Sequence, residues 1–340
     1  MITILTGAKK NIGDYLIGDR AKSLLKEFVD DDILELDRFK DLTPHLDQIN
    51  SSRALILCGG PAYDEDIYPG IYPLVNDLSR IKVPIIPFGL GWSGKPIFQP
   101  KAFTFKPEAL DFIQSIHSKI EKSSCRDIVT EKILNNQGIK NVIMTGCPVW
   151  YSLPDIGKKA KNTTIKKIVV TTPAGKHLWN QSNEVLKSVK KQFPEAEIIY
   201  SFHRGIYPGS GTPLRQGLSY MLMSFLGFIN GAKIVDVSYD LNKIKFYDEC
   251  DLHVGYRVHA HLYFLSKRIP SILINEDGRG LGMTESLGQE NLTINQENLL
   301  ERLNFILSNN KQNNFKWFDQ VYNKIDSHFE VMKDFLKSIK

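Results

Sequence analysis

Short runs of β-branched and other apolar residues, each closed by Gly, Pro, Asp or Asn, recur along the chain. They are "ITILTG", "DILELD", "ALILCGG", "VPIIPFGLG" and "NVIMTGCP", then "KIVVTTP", "EIIYSF", "AKIVDVS", "LHVG" and "PSILIN". Runs of this length, bounded by turn residues, predict strands. Between most of them the apolar positions recur every three or four residues, as in "YLIGDRAKSLLKEF", "EALDFIQSIHSKI", "IVTEKILNNQ" and "NEVLKSVKKQF". That period predicts amphipathic helices. Strands alternating with helices pair in parallel and need helices on both faces of the sheet.

The alternation lapses over residues 154–167, "PDIGKKAKNTTIKK", where Lys, Gly, Asn and Thr replace the periodic pattern. This composition predicts a linker. Each side has its own β-α series, so the fold class expected is α/β: two doubly wound, Rossmann-like domains, 1–153 and 168–313, facing a cleft. In such sheets ligands bind beyond the carboxyl ends of the strands. Residues 314–340, "NFKWFDQVYNKIDSHFEVMKDFLKSIK", place aromatic and aliphatic side chains near helical spacing without Pro or Gly. They predict a long terminal helix, expected to pack back on the first domain.

Composition narrows the function classes. Lys and Arg number 43 against 38 Asp and Glu, a net charge of +5. That excess does not indicate a nucleic-acid partner and suits an anionic small substrate. Cys58, Cys125, Cys147 and Cys250 stand apart, without zinc-site or disulfide spacing, and are expected to be reduced thiols of a cytoplasmic protein; no metal is expected. The opening "MITILTG" is too short for the apolar stretch of a signal peptide. No window reaches the ~20 apolar residues needed to cross a bilayer, and "SYMLMSFLGFINGA" reads as a buried helix. Any membrane contact is therefore expected to be peripheral. Nine lysines between Lys158 and Lys191, with Glu184 as the only acid, form either a solvated face or one suited to anionic headgroups.

Four stretches combine turn glycines with polar chemistry. In "TGAKKNIGDYLIG" a loop joins the first strand to a helix whose free amides favour an anion or sugar hydroxyls; Asn11 and Gly13 line it, and Asp14 either caps the helix or reaches a ligand. Gly59 and Gly60 close "LILCGG" and Trp92 follows "PFGLG"; Arg126 and Asp127 open a helix at "SCRDIVTEK". These strand ends are either plain turns or a floor for an extended sugar, with Trp92 as a stacking face. Arg204 stands just past "YSF", at the head of a long glycine-containing loop, and is either solvated or turned to a cleft anion.

The stretch "DLHVGYRVHAHLYFLSKRIPSILINEDGRG", residues 251–280, is otherwise the interior of a sheet and a helix, yet carries Arg257, His259 and His261. Ending the strand at Gly255 and starting the helix near Val258 puts Arg257 and His259 at the cleft. A guanidinium can hold a carboxylate or phosphate there, and an imidazole can move a proton. His261, one turn beyond Arg257, is expected to be packed. Residues two apart diverge on a helix, so His259 and His261 are a poor metal pair.

These motifs resemble the polysaccharide pyruvyl transferase family. "KNIGD" at 10–14 is similar to its Gly-Asn-x-Gly-Asp, and "CRDIVTEKILNNQGI" to its Arg-Asp, helix and Gly-Ile. "DLHVGYRVHAHLYFLSKRIPSILI" resembles its hallmark: Asp, a short strand, Arg-x-His-Ala, a helix to Pro, and another strand. The chain departs from the pattern at Lys10, at Cys147 in place of an Asp, and across 275–282, where Arg279 stands in for a lysine's charge. The resemblance implies a glycosyltransferase-B-type fold and transfer of the enolpyruvyl group of phosphoenolpyruvate to a sugar, forming a pyruvate ketal. No cofactor is implied, only phosphoenolpyruvate as co-substrate.

On that reading Arg257, Val258, Arg204 and Arg279 bind the donor, His259 is the general acid, and Asp14 takes the acceptor hydroxyl's proton. Asn11, Gly13, Gly59, Gly60, Trp92 and Arg126 lie on the acceptor side. The acceptor implied is a lipid-linked or nucleotide-linked sugar of a surface-polysaccharide precursor. A nucleotide-sugar glycosyltransferase of the same fold, with "GRGLG" and the helix after it holding a diphosphate, or a non-catalytic sugar-binding relative, are the competing readings.

Overall fold

The structure, a computed structural model, describes residues 1–94, 99–161, 164–207 and 212–339. Residues 162–163 of the expected linker and 208–211 of the loop after Arg204 lie outside these ranges. The first half runs β1 (Ile2–Thr6), α1 (Ile12–Phe28), β2 (Ile33–Asp37), α2 (Leu46–Asn50), β3 (Leu55–Cys58), β4 (Pro61–Tyr63), β5 (Ile85–Phe88), β6 (Gly91–Trp92), α3 (Pro107–His117), β7 (Ser123–Cys125), α4 (Ile128–Asn136) and β8 (Val142–Met144). The second runs β9 (Lys167–Thr171), α5 (Trp179–Gln192), β10 (Glu197–Phe202), α6 (Leu214–Ile229), β11 (Lys233–Asp236), β12 (Leu252–Gly255), α7 (Val258–Ser266), β13 (Ser271–Asn275), α8 (Gly278–Leu287), β14 (Leu292–Thr293), α9 (Leu299–Gln312) and α10 (Phe318–Lys337).

Both halves are built on parallel sheets. The first has the order β2-β1-β3-β5, and Leu90 bridges Cys125 so that the β7-β8 pair continues it. The second has the order β11-β10-β9-β12-β13-β14. In each the order reverses beside the first strand of the half, the topological switch point where doubly wound sheets open a crevice. The central strands are apolar on both faces, as parallel strands covered by helices must be: Leu55–Cys58, Ile85–Phe88 and Leu252–Gly255 are buried throughout.

The two sheets meet at their carboxyl ends. Ser286 Oγ of α8 accepts from the Ile128 amide at 2.9 Å, Lys132 pairs with Glu285 at 2.7 Å, and the Gly278 amide donates to Gly94 O at 3.3 Å. Helix α10 ties the halves together from the far side. Its Phe335 lies 6.0 Å from Phe88 of β5 and its Phe329 5.8 Å from Phe28 of α1, measured between ring centres. Its Asp326 pairs with Arg268, which is buried at the end of α7 and also donates to Asp155 O at 2.9 Å.

Two expectations do not hold. Asn11, not Asp14, caps α1: its backbone is extended and its side chain accepts from the Gly13 amide, while Asp14 falls inside the first turn. Helix α6 is not buried. Its Gly217, Tyr220, Met223 and Gly227 pack inward, but most of its remaining surface is apolar and exposed. The sequence misled because an all-round apolar helix is normally interior.

Candidate functional site

The crevice is lined by the segments just past the strand ends. From the first sheet come the β1–α1 loop, Arg38 after β2, Gly59 and Gly60 after β3, and Arg126 after β7. From the second come His203 and Arg204 after β10, Tyr256 to His259 after β12, and Glu276 to Arg279 after β13. Contact across it is close: the Ile12 amide points at His203 O (3.4 Å), the Tyr239 amide donates to Lys10 O at 3.1 Å, and Lys10 donates to the Thr212 hydroxyl.

A buried pocket sits where the two halves touch, lined by Asn11, Gly13, His203, Tyr256, Arg257, Val258, His259, Glu276, Asp277 and Arg279. Five of the expected residues besides Gly13 therefore converge: Asn11, Arg257, Val258, His259 and Arg279. Arg257 occupies the N-cap position of α7 with extended backbone, so its side chain leaves the helix at the mouth of the crevice. Nη2 donates to Pro173 O at 2.8 Å, which fixes the fork. Nε is buried and has no acceptor among the described residues. A buried guanidinium donor is costly to leave unpaired, so this edge of Arg257 suits an anionic acceptor. Burial, Arg204 and Arg279 all disfavour its charge, and Glu276 opposes them.

His259 lies in the first turn of α7 against α1. Burial, together with Arg126 and Arg279 nearby, pushes its imidazole down to about 3. It is therefore neutral at pH 7 while the pocket lacks an anion. His203 shares the pocket wall, is held by Tyr247 Oη at 2.9 Å, and is kept well below its ordinary value by burial and by Arg257. His261 is packed: Nδ1 meets Ser271 Oγ at 2.7 Å and Nε2 meets Gln289 Oε1 at 2.8 Å.

Arg279 is held by Asp277, which also caps α8 through the Arg279 amide at 3.0 Å. Burial works against the guanidinium's charge, but Asp277 and Glu276 raise it overall. That carboxylate takes up one of the amides at the N-terminus of α8, the end that would face a diphosphate. Glu276 accepts from the Ala174 amide at 2.8 Å and so positions the β9–α5 loop beside Arg257.

On the first-sheet side a second hollow of about 460 Å³ opens next to the pocket, lined among others by Gly7, Lys9, Asp14, Asp37 and Phe39. Burial raises Asp14, while Arg38, Asn11, Arg279 and Arg204 pull it down less strongly. Asp14 thus lines this hollow, within the electrostatic reach of Arg204 and Arg279 of the second sheet.

The remaining residues are placed differently. Arg204 is half-buried at the crevice, close enough to disfavour charge on Lys10 and Arg257. Trp92 is not an open stacking face: it is 3% exposed, edge-on to Phe103 at 5.5 Å, with Gly278 so close that a Cβ there would lie 2.5 Å from the indole. Arg126 is fully buried, its Nε on Asp127 at 3.1 Å and its Nη2 on Trp92 O at 2.7 Å, and it does not line the pocket. Gly59 and Gly60 have φ of +57° and +86°; Gly59 clears Ile17 of α1 and Gly60 clears the Arg38 guanidinium. They are turns demanded by close packing.

His203, Glu276, Asp277, Lys9, Asp37 and Phe39 escaped the sequence reading. The one available signal was position, since each stands close to the end of a predicted strand.

Solved structures share this architecture. S. aureus MnaA, in a co-structure with UDP, superposes with a TM-score of 0.59 at 11% identity, over 98% of this chain and 95% of its own. The UDP-GlcNAc 2-epimerase from Neisseria meningitidis bound to UDP-GlcNAc gives 0.58 at 10%, over 98% and 99%. The pneumococcal O-GlcNAc transferase GtfA in complex with UDP and GlcNAc gives 0.52 at 10%, over 87% of this chain and 59% of its own. Similarity at this identity defines the fold: two Rossmann-like domains of the glycosyltransferase-B type. No curated protein matches the chain. Residues 11–278 match the model of the polysaccharide pyruvyl transferase family, and the chain belongs to that family.

Proposed function

We propose that the protein transfers the enolpyruvyl unit of phosphoenolpyruvate to a sugar, forming a pyruvate ketal and releasing inorganic phosphate. The observation that carries this reading is the convergence of Arg257, Arg279 and His259 on one buried pocket, with Arg257 Nε lacking an acceptor among the described residues. Two arginines from successive strand ends suit a ligand bearing both a carboxylate and a phosphate. Arg204 adds a third cation at the rim.

In the reaction, His259 gives a proton to the methylene carbon of phosphoenolpyruvate, so that C2 becomes electrophilic. One sugar hydroxyl adds to C2 and loses its proton to Asp14; phosphate leaves with the C–O bond electrons and takes up that proton; the second hydroxyl then bonds to C2, closing the ketal, and its proton returns to His259. Burial is the main reason His259 is held near 3; the charge of the bound phosphoenolpyruvate offsets the further push from Arg126 and Arg279 and raises the imidazole towards the range of a useful acid. Asp14, raised by burial and facing the 460 Å³ hollow, suits the base, and that hollow suits the acceptor sugar, lipid-linked or nucleotide-linked.

The pocket itself measures only about 30 Å³, room for a water molecule or two. Phosphoenolpyruvate must therefore enter with the two sheets parted, and its charges replace the contacts across the crevice on closure. The test is release of phosphate from phosphoenolpyruvate with acceptor glycans supplied: the wild type releases it, and His259→Ala, which keeps the arginines, does so at least ~100-fold more slowly. Transfer from a nucleotide sugar without phosphoenolpyruvate turnover would point to the glycosyltransferase reading instead.

A further inference from the structure

The geometry points to α6 as a docking face for an anionic lipid bilayer, on which the protein rests without crossing it. The observation is independent of the pocket chemistry. Along this sixteen-residue helix, Leu218, Met221, Leu222, Phe225, Phe228 and Ile229 are each 40% to 68% exposed. A contiguous apolar surface of this kind on a folded protein marks an interaction site. The opposite stripe of Gly217, Tyr220, Met223 and Gly227 is fixed on the second sheet, with Gly227 against Tyr200, so the apolar face cannot turn inward.

Charge selects the partner. Residues 198–235, which hold the helix and both its flanks, contain no Asp or Glu. Arg215 is exposed at one end of the helix, and at the other Lys190 reaches over from α5 to Asn230 O at 2.8 Å, with exposed Lys233 just beyond, 3.9 Å from Glu197. An apolar helix face with cations at both ends, too short to span, is the pattern of a helix lying in the interface of an anionic membrane. No helix among the described residues is long and apolar enough to cross one. A second copy packed on the same face would bring like charges of the two rims together, which a lipid surface does not.

The location also relates the face to the crevice. Thr212, two residues before α6, holds Lys10 of the β1–α1 loop, so the amino end of the helix lies beside the mouth of the site. A protein seated on α6 would present its crevice next to the headgroups.

Flotation with vesicles of phosphatidylcholine and phosphatidylglycerol, against phosphatidylcholine alone, tests this. The wild type is expected to float with the anionic vesicles, less so in high salt, and Leu222→Gln/Phe225→Gln to lose more than ~10-fold in partitioning with its melting temperature unchanged, since both side chains are at the surface. Absence of vesicle binding by the wild type, or equal binding by the double variant, would overturn the inference. So would a dimer dissociated by the double variant in a protein that ignores vesicles, because then a second copy covers the face.

Discussion

Gly13 of α1 lies so close to His259 of α7 that a Cβ built on the glycine would fall 2.5 Å from His259 Nδ1. The first sheet's opening helix is thus seated on the imidazole that the second sheet places at the pocket. Glycine is required here by proximity, since its backbone is helical, not left-handed. Gly13→Ala must push the ring or the helix aside. The expected result is a loss of roughly 100-fold in kcat/KM, the usual cost of a displacement near 1 Å at a reacting group, with far-UV circular dichroism unchanged. Steady-state kinetics and a spectrum decide it.

Stability should fall as the solution is acidified below the ordinary histidine range. His203, His253, His259 and His261 are all held down by burial, His259 to about 3 and His261 to about 4. The unfolded chain takes up protons near 6.5 and the folded chain does not, so the unfolded state binds more protons and stability rises with pH. The stabilisation is complete above about pH 7 and is lost on descending from about 6.5 towards 4, each histidine contributing about 1.4 kcal/mol per pH unit. Urea melts at pH 7.5 and 5.5 measure this.

Binding of phosphoenolpyruvate should draw a proton into the site. Burial first, then Arg126 and Arg279, keep His259 neutral; an anion in the pocket opposes those two charges, so the ring takes up a proton as the ligand arrives. Calorimetric titration at pH 7 in two buffers of different ionisation enthalpy should give a buffer-dependent heat for the wild type, corresponding to net proton uptake, and His259→Gln should remove most of it.

Arg268 should be among the costliest side chains to remove. It is 1% exposed and joins Asp155 O, Tyr322 O and Asp326, so it ties the start of the 154–167 segment and α10 to the second half. Arg268→Ala leaves those acceptors without their buried donor and is expected to cost about 3 kcal/mol by chemical denaturation, without altering the pocket's chemistry.

Much of this was legible in the chain. Short apolar runs closed by turn residues, with stretches of period three to four between them, give both parallel series because a covered strand must be apolar and its covering helix striped. Gly255, Arg257 and His259 fall where strand turns to helix, and that register alone places them at the crevice. What the sequence hid depends on the third dimension. An indole after a strand is as consistent with burial as with stacking, and Trp92 is buried because Gly278 of the other half closes on it. Asn11 and Asp14 are both good caps, and Asn11 is the one whose backbone is extended just ahead of the first helical residue. Helix α6 reads as interior because nothing local announces that the layer beyond it is missing. Glu276 and His203 gain their importance from Arg257, which stands far from both along the chain.

The central claim is that Arg257 holds the anionic donor. A thermal-shift titration with phosphoenolpyruvate tests it most directly, on the wild type and on Arg257→Ala. A donor at ~100 times its dissociation constant adds about 2.7 kcal/mol to the folded state. The wild type should melt higher with increasing phosphoenolpyruvate and Arg257→Ala should not move. A wild type that ignores phosphoenolpyruvate, or a variant that shifts as far as the wild type, would contradict the account.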